Sequence, residues 1–150
     1  MTINLRDPTQ PARAVREALG LSPHPEGGHY RELWRDRPES GQRGAGTSIL
    51  FLLAEGERSH WHRVDAAEIW LWQAGSPLLL SVDSGGAGRQ HVRLGPGLAD
   101  GEALQSMVPV RAWQEARSLG AWSLVSCVVA PAFEFTGFEM APAGWSPPAA

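Results

Sequence analysis

The chain has 150 residues, of which 43% are hydrophobic and 19% are charged, and its formal net charge is -3. A chain of this length is expected to form one domain around one core. The arginines are scattered among acidic residues, and no run approaches the roughly 20 apolar residues that span a bilayer. We therefore expect neither a nucleic acid nor a membrane as partner.

Cys127 is the single cysteine, and it lies in the apolar segment "WSLVSCVVAP". An intramolecular disulfide and a cysteine-rich zinc site are both excluded. The residue is expected to be a small buried hydrophobe. Because the chain also opens without a charged and then apolar signal sequence, we expect a cytoplasmic protein.

The segment "PARAVREALGL" predicts a short amphipathic helix within an N-terminal arm, residues 1–20. Ala12, Val15, Ala18 and Leu19 share one helical stripe, and Gly20 follows as an end signal. We expect the helix to pack on the outside of the remaining domain.

From residue 21 to residue 141 the sequence is typical of an all-β domain. Short segments rich in β-branched, leucine and aromatic residues are separated by Gly, Pro and Asp at intervals of about ten residues. A double-sheet jelly roll or small barrel is the predicted architecture. The Pro/Ala-rich tail, residues 142–150, is expected to fray. The predicted strands are "HYRELWR", "TSILFLLA", "SHWHRV", "EIWLWQ", "LLLSVD", "RQHVRLG", "LQSMVPV", "AWQEAR", "WSLVSCVVA" and "FEFTGFEM".

The stretch "SHWHRVDAAEIW" carries two histidines and a glutamate that could act together. If it forms a hairpin with its loop at Val64 to Ala66, His62 lies opposite Glu68 and His60 lies opposite Trp70. Alternate residues of a strand share a face, so these side chains would line one surface together with Trp72. A slip of one residue would separate them.

Two imidazoles and a carboxylate suit a divalent metal ion such as zinc, iron, manganese or nickel, bound by His60, His62 and Glu68. They suit acid-base chemistry equally well. The plain alternative is that one histidine is a surface residue and that Glu68 pairs with an arginine.

The same residues resemble the first motif of the cupins, in which HxH is followed by Glu and then by Gly. Here the motif comprises His60, His62, Glu68 and Gly75. Together with "LSPHPEGGHYRE", "TSILFLLAEGE", "VPVRAWQEAR" and "VAPAFEFTGFEM", the chain resembles the cupin family 5 group (DUF985) from about residue 21 to residue 140. The resemblance implies a double-stranded β-helix, usually a homodimer.

The chain departs from this pattern at three places. Metal-binding cupins take a fourth ligand, a histidine, from the second motif, where this chain has Trp113 and Gln114. Relatives often carry glycine where Arg111 stands and histidine where Leu71 stands. The resemblance therefore implies a fold and a pocket more firmly than a reaction.

The stretch "HPEGGHYRE" adds further candidates for the pocket. Gly27 and Gly28 would permit positive φ or close backbone approach, either in a loop over the pocket mouth or in a tight turn into a strand. The resemblance favours roles for His24, Glu26 and Arg31. Arg31 is the candidate anchor for a carboxylate or phosphate, or else part of a structural salt bridge.

Further along the same strand, Tyr30, Glu32 and Trp34 share one face and His29, Arg31 and Leu33 share the other. The sequence leaves open which face points inward. Tyr30 could be a general acid or an amphipathic core residue.

In the second motif, Trp113 could supply a stacking wall and Gln114 an amide for orienting a ligand. Trp70 falls at a pocket position if the register of the predicted hairpin holds.

Three functions stay open for this small-molecule pocket. The first is an isomerase or epimerase acting on a sugar or other polar metabolite, with His62 as base, Glu68 as its partner and Tyr30 as acid. The second is a metal-dependent hydrolase or oxygenase that uses His60, His62 and Glu68. The third is a binding module without catalysis.

Overall fold

The computed structural model describes residues 2–86 and 88–148. These residues form one helix, eleven strands and two single-turn 3₁₀ helices, Leu98–Asp100 and Phe135–Gly137. The helix and strands are α1 Ala12–Leu19, β1 Ser22–Pro23, β2 His29–Arg35, β3 Thr47–Ala54, β4 Arg58–Val64, β5 Ala67–Gly75, β6 Leu78–Asp83, β7 Arg89–Leu94, β8 Gln105–Val108, β9 Trp113–Ser118, β10 Trp122–Ala130 and β11 Phe138–Met140.

The strands form two antiparallel sheets, which confirms the predicted all-β jelly-roll barrel. The larger sheet has the order β1-β2-β3-β10-β5-β8, and the smaller sheet has the order β11-β4-β9-β6-β7. Inward-facing residues of both sheets meet in one hydrophobic core. Its fully buried members include Phe51, Leu53, Trp70, Leu78, Leu80, Leu94 and Val125.

Helix α1 packs on the outer face of the larger sheet, where its apolar stripe covers side chains of β3 and β10. Val15 is fully buried there against Leu52, Leu124 and Trp122. Gly20 ends the helix in the left-handed conformation, at φ 66°, and its N–H donates to a carbonyl of the last turn. The helix predicted from the apolar stripe and the terminal glycine is therefore observed.

The predicted hairpin between β4 and β5 is wrong. Strand β4 pairs with β9 and β11 in the smaller sheet, whereas β5 pairs with β10 and β8 in the larger one. The short connection at Asp65 and Ala66 is thus a corner from one sheet to the other. Arg43 holds this corner through two hydrogen bonds to the Asp65 carboxylate. Alternation along a strand fixes which residues share a face but does not identify the neighbouring strand.

The described part of the C-terminal tail, residues 142–148, lies against the barrel. Trp145 packs on Trp113 with ring centroids 4.7 Å apart, and the Pro147 carbonyl accepts a hydrogen bond from Arg89. Residues 149 and 150 of the predicted tail, Met1 of the predicted arm and Ala87 lie outside the described residues. The division into arm, domain and tail stays a prediction.

Within residues 2–86 and 88–148, no helix has the length and apolar character needed to cross a membrane.

Candidate functional site

A pocket lies between the two sheets at one end of the barrel. It comprises about 510 Å³ of space between atoms, a volume that includes open solvent at its mouth. Its apolar wall comes from Ile49, Val64, Val129, Phe133 and Phe135. The polar and charged lining residues are His24, Glu26, Tyr30, Glu32, Arg35, Thr47, His62, Glu68 and Cys127.

Strand β2 presents Tyr30 and Glu32 to the pocket, which answers the question of which face points inward. A register shift between Glu32 and Trp34 inserts one extra residue, so that Arg35 joins the pocket face. Arg31 lies on the opposite face, exposed, where its guanidinium contacts the Leu19 carbonyl. The structure therefore does not bring the predicted anion anchor into the pocket.

Strand β4 separates the two histidines that the sequence placed together. Ser59 pairs with Ala116 and His62 pairs with Gln114, so β4 contains one residue more than β9 between these two pairs. This bulge changes the side on which alternate residues project. His62 is buried in the pocket, whereas the His60 ring turns outward and lies 3.0 Å from the Pro142 carbonyl oxygen.

The loop from His24 to Gly28 carries Glu26 into the pocket, and both glycines are needed for its path. Gly27 has φ 108°, and a Cβ there would lie 2.1 Å from the Arg58 carbonyl oxygen. Gly28 has φ 74°, and its Cβ would lie 2.7 Å from a Leu53 methyl group. Positive φ and close approach, the two reasons predicted for these glycines, both apply.

His62 and Glu26 form the central contact of the pocket. The Nε2 atom of His62 lies 3.0 Å from the Glu26 carboxyl oxygen Oε2, and both side chains are almost fully buried. The Nδ1 atom of His62 lies 2.7 Å from its other partner, the His60 carbonyl oxygen. Because a carbonyl can only accept, Nδ1 carries a proton, and the contact with Glu26 holds one further proton.

Burial decides where that further proton resides. Loss of hydration raises the pKa of the Glu26 carboxyl from 4.5 to about 8. The same cause lowers the pKa of His62 below its ordinary value. At neutral pH the proton therefore stays on Glu26, which donates it to Nε2 of a neutral imidazole.

Glu68 occupies the same pocket from the opposite sheet and is held by a chain of hydrogen bonds. The Gln114 amide donates to Glu68 at 2.9 Å, and the Trp70 indole donates to the Gln114 amide oxygen at 2.8 Å. Burial raises the pKa of Glu68 to about 7, while the nearby His62 opposes that rise. Gln114 and Trp70 thus position the carboxyl from behind.

His24 completes the polar cluster. Its Nδ1 accepts the Glu26 backbone N–H at 3.1 Å, so the ring proton of the neutral form resides on Nε2. Burial, with a smaller contribution from His62, lowers the pKa of His24 to about 4. Its ring meets the Tyr30 ring edge-on, with centroids 4.4 Å apart.

This arrangement does not fit the predicted metal site. His60 faces away, Nε2 of His62 is engaged by Glu26, and Gln114 offers Glu68 its amide nitrogen, which donates a hydrogen bond and cannot ligate a metal. Within the described ranges, no group of three or more His, Cys, Asp or Glu side chains has the geometry to hold a metal ion. The buried imidazole and carboxyl groups can exchange protons with one another.

The structure brings five of the predicted site residues together in the pocket, namely His24, Glu26, Tyr30, His62 and Glu68. Trp70 and Gln114 lie behind them. Arg31, His60 and Trp113 lie outside; Trp113 packs between Trp145 and the Arg63 guanidinium. The roles assigned to all ten residues stay predictions.

Sequence reasoning missed several residues that line the pocket. Arg35 enters only through the bulge in β2, and Phe133 and Phe135 enter on the segment between β10 and β11. That segment belongs to a motif of the family resemblance, "VAPAFEFTGFEM", which is the one signal that could have identified the two aromatic rings. Cys127 is buried as expected, but it also borders the pocket.

Comparison with known proteins identifies relatives over most of the chain. The family model described as Cupin superfamily (DUF985) matches residues 13–141. A crystallised protein from Shewanella oneidensis is 36% identical, with a TM-score of 0.83 over 89% of this chain and 85% of that one. A hypothetical protein from Leishmania major is 34% identical, with a TM-score of 0.78 over 87% of this chain and 86% of that one. No curated protein matches the chain.

More distant structures share the fold alone. Oxalate decarboxylase from Bacillus subtilis is 14% identical, with a TM-score of 0.62 over 79% of this chain and 29% of that one. That enzyme has Mn(II) centres. At such low identity the likeness carries no reaction and no metal to this chain.

Proposed function

Because the chain belongs to the Cupin superfamily (DUF985) family, we propose that it binds a small polar metabolite in the barrel pocket and moves a proton on it. The reaction class is that of an isomerase or epimerase. The pocket opens to solvent on one side and ends in buried acid and imidazole groups on the other, as a site for proton transfer requires.

The observation that carries this proposal is the 3.0 Å contact between His62 and the protonated Glu26 carboxyl. Glu26 can take a substrate proton on one oxygen while the other oxygen passes its own proton to Nε2 of His62. The substrate C–H bond breaks as an O–H bond forms on Glu26, and the other Glu26 O–H bond breaks as an N–H bond forms on His62. The electron pair of the broken C–H bond moves onto the substrate oxygen, so the transfer balances. His62 then carries a positive charge, which the neighbouring Glu68 carboxylate stabilises.

Tyr30 supplies the matching acid in the proposal. It lines the same pocket and packs against His24. A phenol can donate its proton to the substrate oxygen that develops negative charge. Return of the proton from the Glu26–His62 pair to a different atom, or to the other face of the same atom, completes the isomerisation.

Exchange with deuterated solvent tests the proposal. Metabolites that raise the thermal unfolding temperature are incubated with the protein in D₂O, and the deuterium content of their C–H positions is followed by NMR. We expect deuterium incorporation that survives chelation and falls at least about 100-fold in His62→Gln. His91→Gln is the matched control, because His91 is exposed on β7, outside the pocket lining, and contacts the Ser81 hydroxyl.

Each outcome of this test discriminates among the functions. Binding without exchange in the wild type would leave a metabolite-binding module and overturn catalysis. Exchange that chelation abolishes, with metal present in stoichiometric amount by elemental analysis, would support the metal-dependent alternative instead.

The homodimer implied by the family resemblance is also a proposal. A cross-strand row on the outer face of the larger sheet joins Trp34, Ser48, Val128, Ile69 and Met107 through their paired positions. Trp34, Ile69 and Met107 are exposed although they are large and apolar.

Light scattering should give the mass of a dimer for the wild type and of a monomer for Ile69→Arg. A monomeric wild type would contradict the proposal.

A further inference from the structure

The pocket contains no uncompensated positive charge. Arg35 is the single arginine among its lining residues, and the protein has no lysine. Two nitrogens of Arg35 donate to the two oxygens of Glu32 at 2.8 and 2.9 Å, and the third donates to the Phe133 carbonyl at 2.8 Å. Its charge is paired with Glu32 and three of its five N–H donors are engaged, so Arg35 brings no uncompensated positive charge to an anionic group.

The two histidines do not supply the missing charge. Burial lowers the pKa of His24 to about 4 and also lowers the pKa of His62, so both rings are neutral at physiological pH. A phosphate or carboxylate entering this pocket would lose its hydration without gaining a cationic partner, which is strongly unfavourable.

Two acidic side chains, in contrast, lie in the pocket without a partner of opposite charge. Glu26 and Glu68 are buried in the pocket, and neither has an arginine within ion-pair distance among the described residues. Glu26 lies 3.0 Å from His62, and Glu68 accepts a hydrogen bond from the Gln114 amide. A ligand cation beside them would compensate the carboxylate form of either group.

The aromatic side chains that line the pocket walls also suit a cation. Aromatic rings from three segments border the same space: Tyr30 from β2, His24 from the loop before it, and Phe133 and Phe135 from the segment after β10. Phe133 and Phe135 meet edge to face with centroids 4.9 Å apart, and Phe135 lies 6.5 Å from His24. The negative faces of aromatic rings attract organic cations.

From this combination of buried carboxyls, aromatic walls and an arginine whose charge is paired with Glu32, we infer that the pocket selects a small organic cation, a protonated amine or quaternary ammonium compound, and rejects phosphates and carboxylates. The inference rests on the proposed function, because it names the ligand class of the same pocket. It also replaces the anionic ligand that Arg31 suggested in the sequence.

Three probes of nearly equal shape and different charge test it. Choline carries a positive charge, 3,3-dimethylbutan-1-ol is its neutral isostere, and 3,3-dimethylbutanoate is the corresponding anion. Binding to the full chain is followed by the NMR shifts of the pocket methyl groups of Ile49, Val64 and Val129. We expect choline to bind at least about tenfold more tightly than the alcohol, a difference of about 1.4 kcal/mol, and the anion to bind most weakly.

A variant tests whether the buried acidic groups cause the preference for choline over the alcohol. Glu68→Gln should remove most of the advantage of choline over the alcohol. Glu139→Gln is the matched control, because Glu139 is exposed on β11 and should leave the advantage intact. The methyl spectrum of each variant also reports whether the barrel is folded.

The results separate this inference from the proposed function. Equal binding of choline and the alcohol, tighter binding of the anion, or no shift of the pocket methyl groups with choline would each overturn selection of a cation. None of them alters the deuterium exchange that tests proton transfer. Conversely, choline selectivity in a protein that exchanges no ligand C–H would keep the cation site and remove the catalysis.

Discussion

The two ends of the barrel interior are built by the same strands but filled by different chemistry. On β3, Thr47 and Ile49 line the pocket, whereas Phe51 and Leu53 are fully buried in the core. On β10, Val125 belongs to the core and Val129 to the pocket. We call these the apolar end, with Phe51, Leu53, Leu78, Leu80 and Val125, and the pocket end, with Glu26, Tyr30, His62, Glu68 and Val129.

The difference shows how a small barrel can hold buried acids. Burial of ionisable groups with only neutral partners costs free energy at the pocket end. Dense apolar packing at the other end offsets that cost through the hydrophobic effect. Stability and chemistry are thus separated along the strand direction rather than between domains.

The largest expected effect comes from removing core volume at the apolar end. Leu80 is fully buried, and Leu80→Ala should lower the free energy of unfolding by about 3 kcal/mol, since it loses transfer energy and leaves a cavity. Val129→Ala beside the existing pocket should cost about 1 kcal/mol, because it enlarges a space that is already present. Urea denaturation of both variants measures the contrast. Equal losses would contradict the division into two ends.

The next effect concerns the loop that carries Glu26. Gly28→Ala should lower the free energy of unfolding by about 2 kcal/mol or more, because it combines positive φ with contacts under 3 Å to Leu53, Leu52 and Phe51. Gly41→Ala is the control, with φ 74° and no atom within 4 Å of the added Cβ. It should cost only about 1 kcal/mol. Similar losses would mean that close packing of this loop is unimportant.

A pH titration of stability isolates the buried acids. The folded state raises the pKa of Glu26 to about 8 and that of Glu68 to about 7, so it binds more protons than the unfolded chain above pH 4.5. The contribution of these two groups to the free energy of unfolding must therefore fall as pH rises from 4.5 to about 8. Below about pH 6.5 the lowered pKa values of His24 and His62 act in the opposite direction.

The net decline in the free energy of unfolding should consequently appear between about pH 6.5 and 8 and amount to about 1 to 2 kcal/mol. Glu26→Gln should flatten it, whereas Glu139→Gln should leave it unchanged. Urea denaturation at each pH measures the slope, and a rise in wild-type stability across this interval would contradict the assignment of the proton to Glu26.

The smallest expected effect concerns a residue that belongs to neither the apolar end nor the pocket end. Arg111 is the single non-glycine residue with positive φ, 65°, in the described part of the chain. Glycine, which the family resemblance implies at this position, adopts this conformation without strain. Arg111→Gly should relieve the strain but add unfolded-state entropy, for a net gain of up to about 1 kcal/mol. A loss above that magnitude in thermal unfolding would show that the Arg111 side chain stabilises the fold.

Local patterns in the sequence predicted much of this protein. Alternation and turn residues predicted the all-β class and the bounds of β3, and an apolar stripe ending at Gly20 predicted α1. The pair Gly27 and Gly28 indicated a constrained loop. These features depend on residues close in the chain, so the sequence carries them directly.

Only the tertiary structure decided which of the candidate residues share the pocket. One extra residue in β4 turns His60 away from His62, and one in β2 brings Arg35 inward. Phe133 and Phe135 arrive from a segment remote in sequence, and His62 and Glu68 line one pocket from two different sheets rather than along a hairpin. Bulges and strand partners are set by how distant segments pack, and the period of a single strand contains no record of that packing.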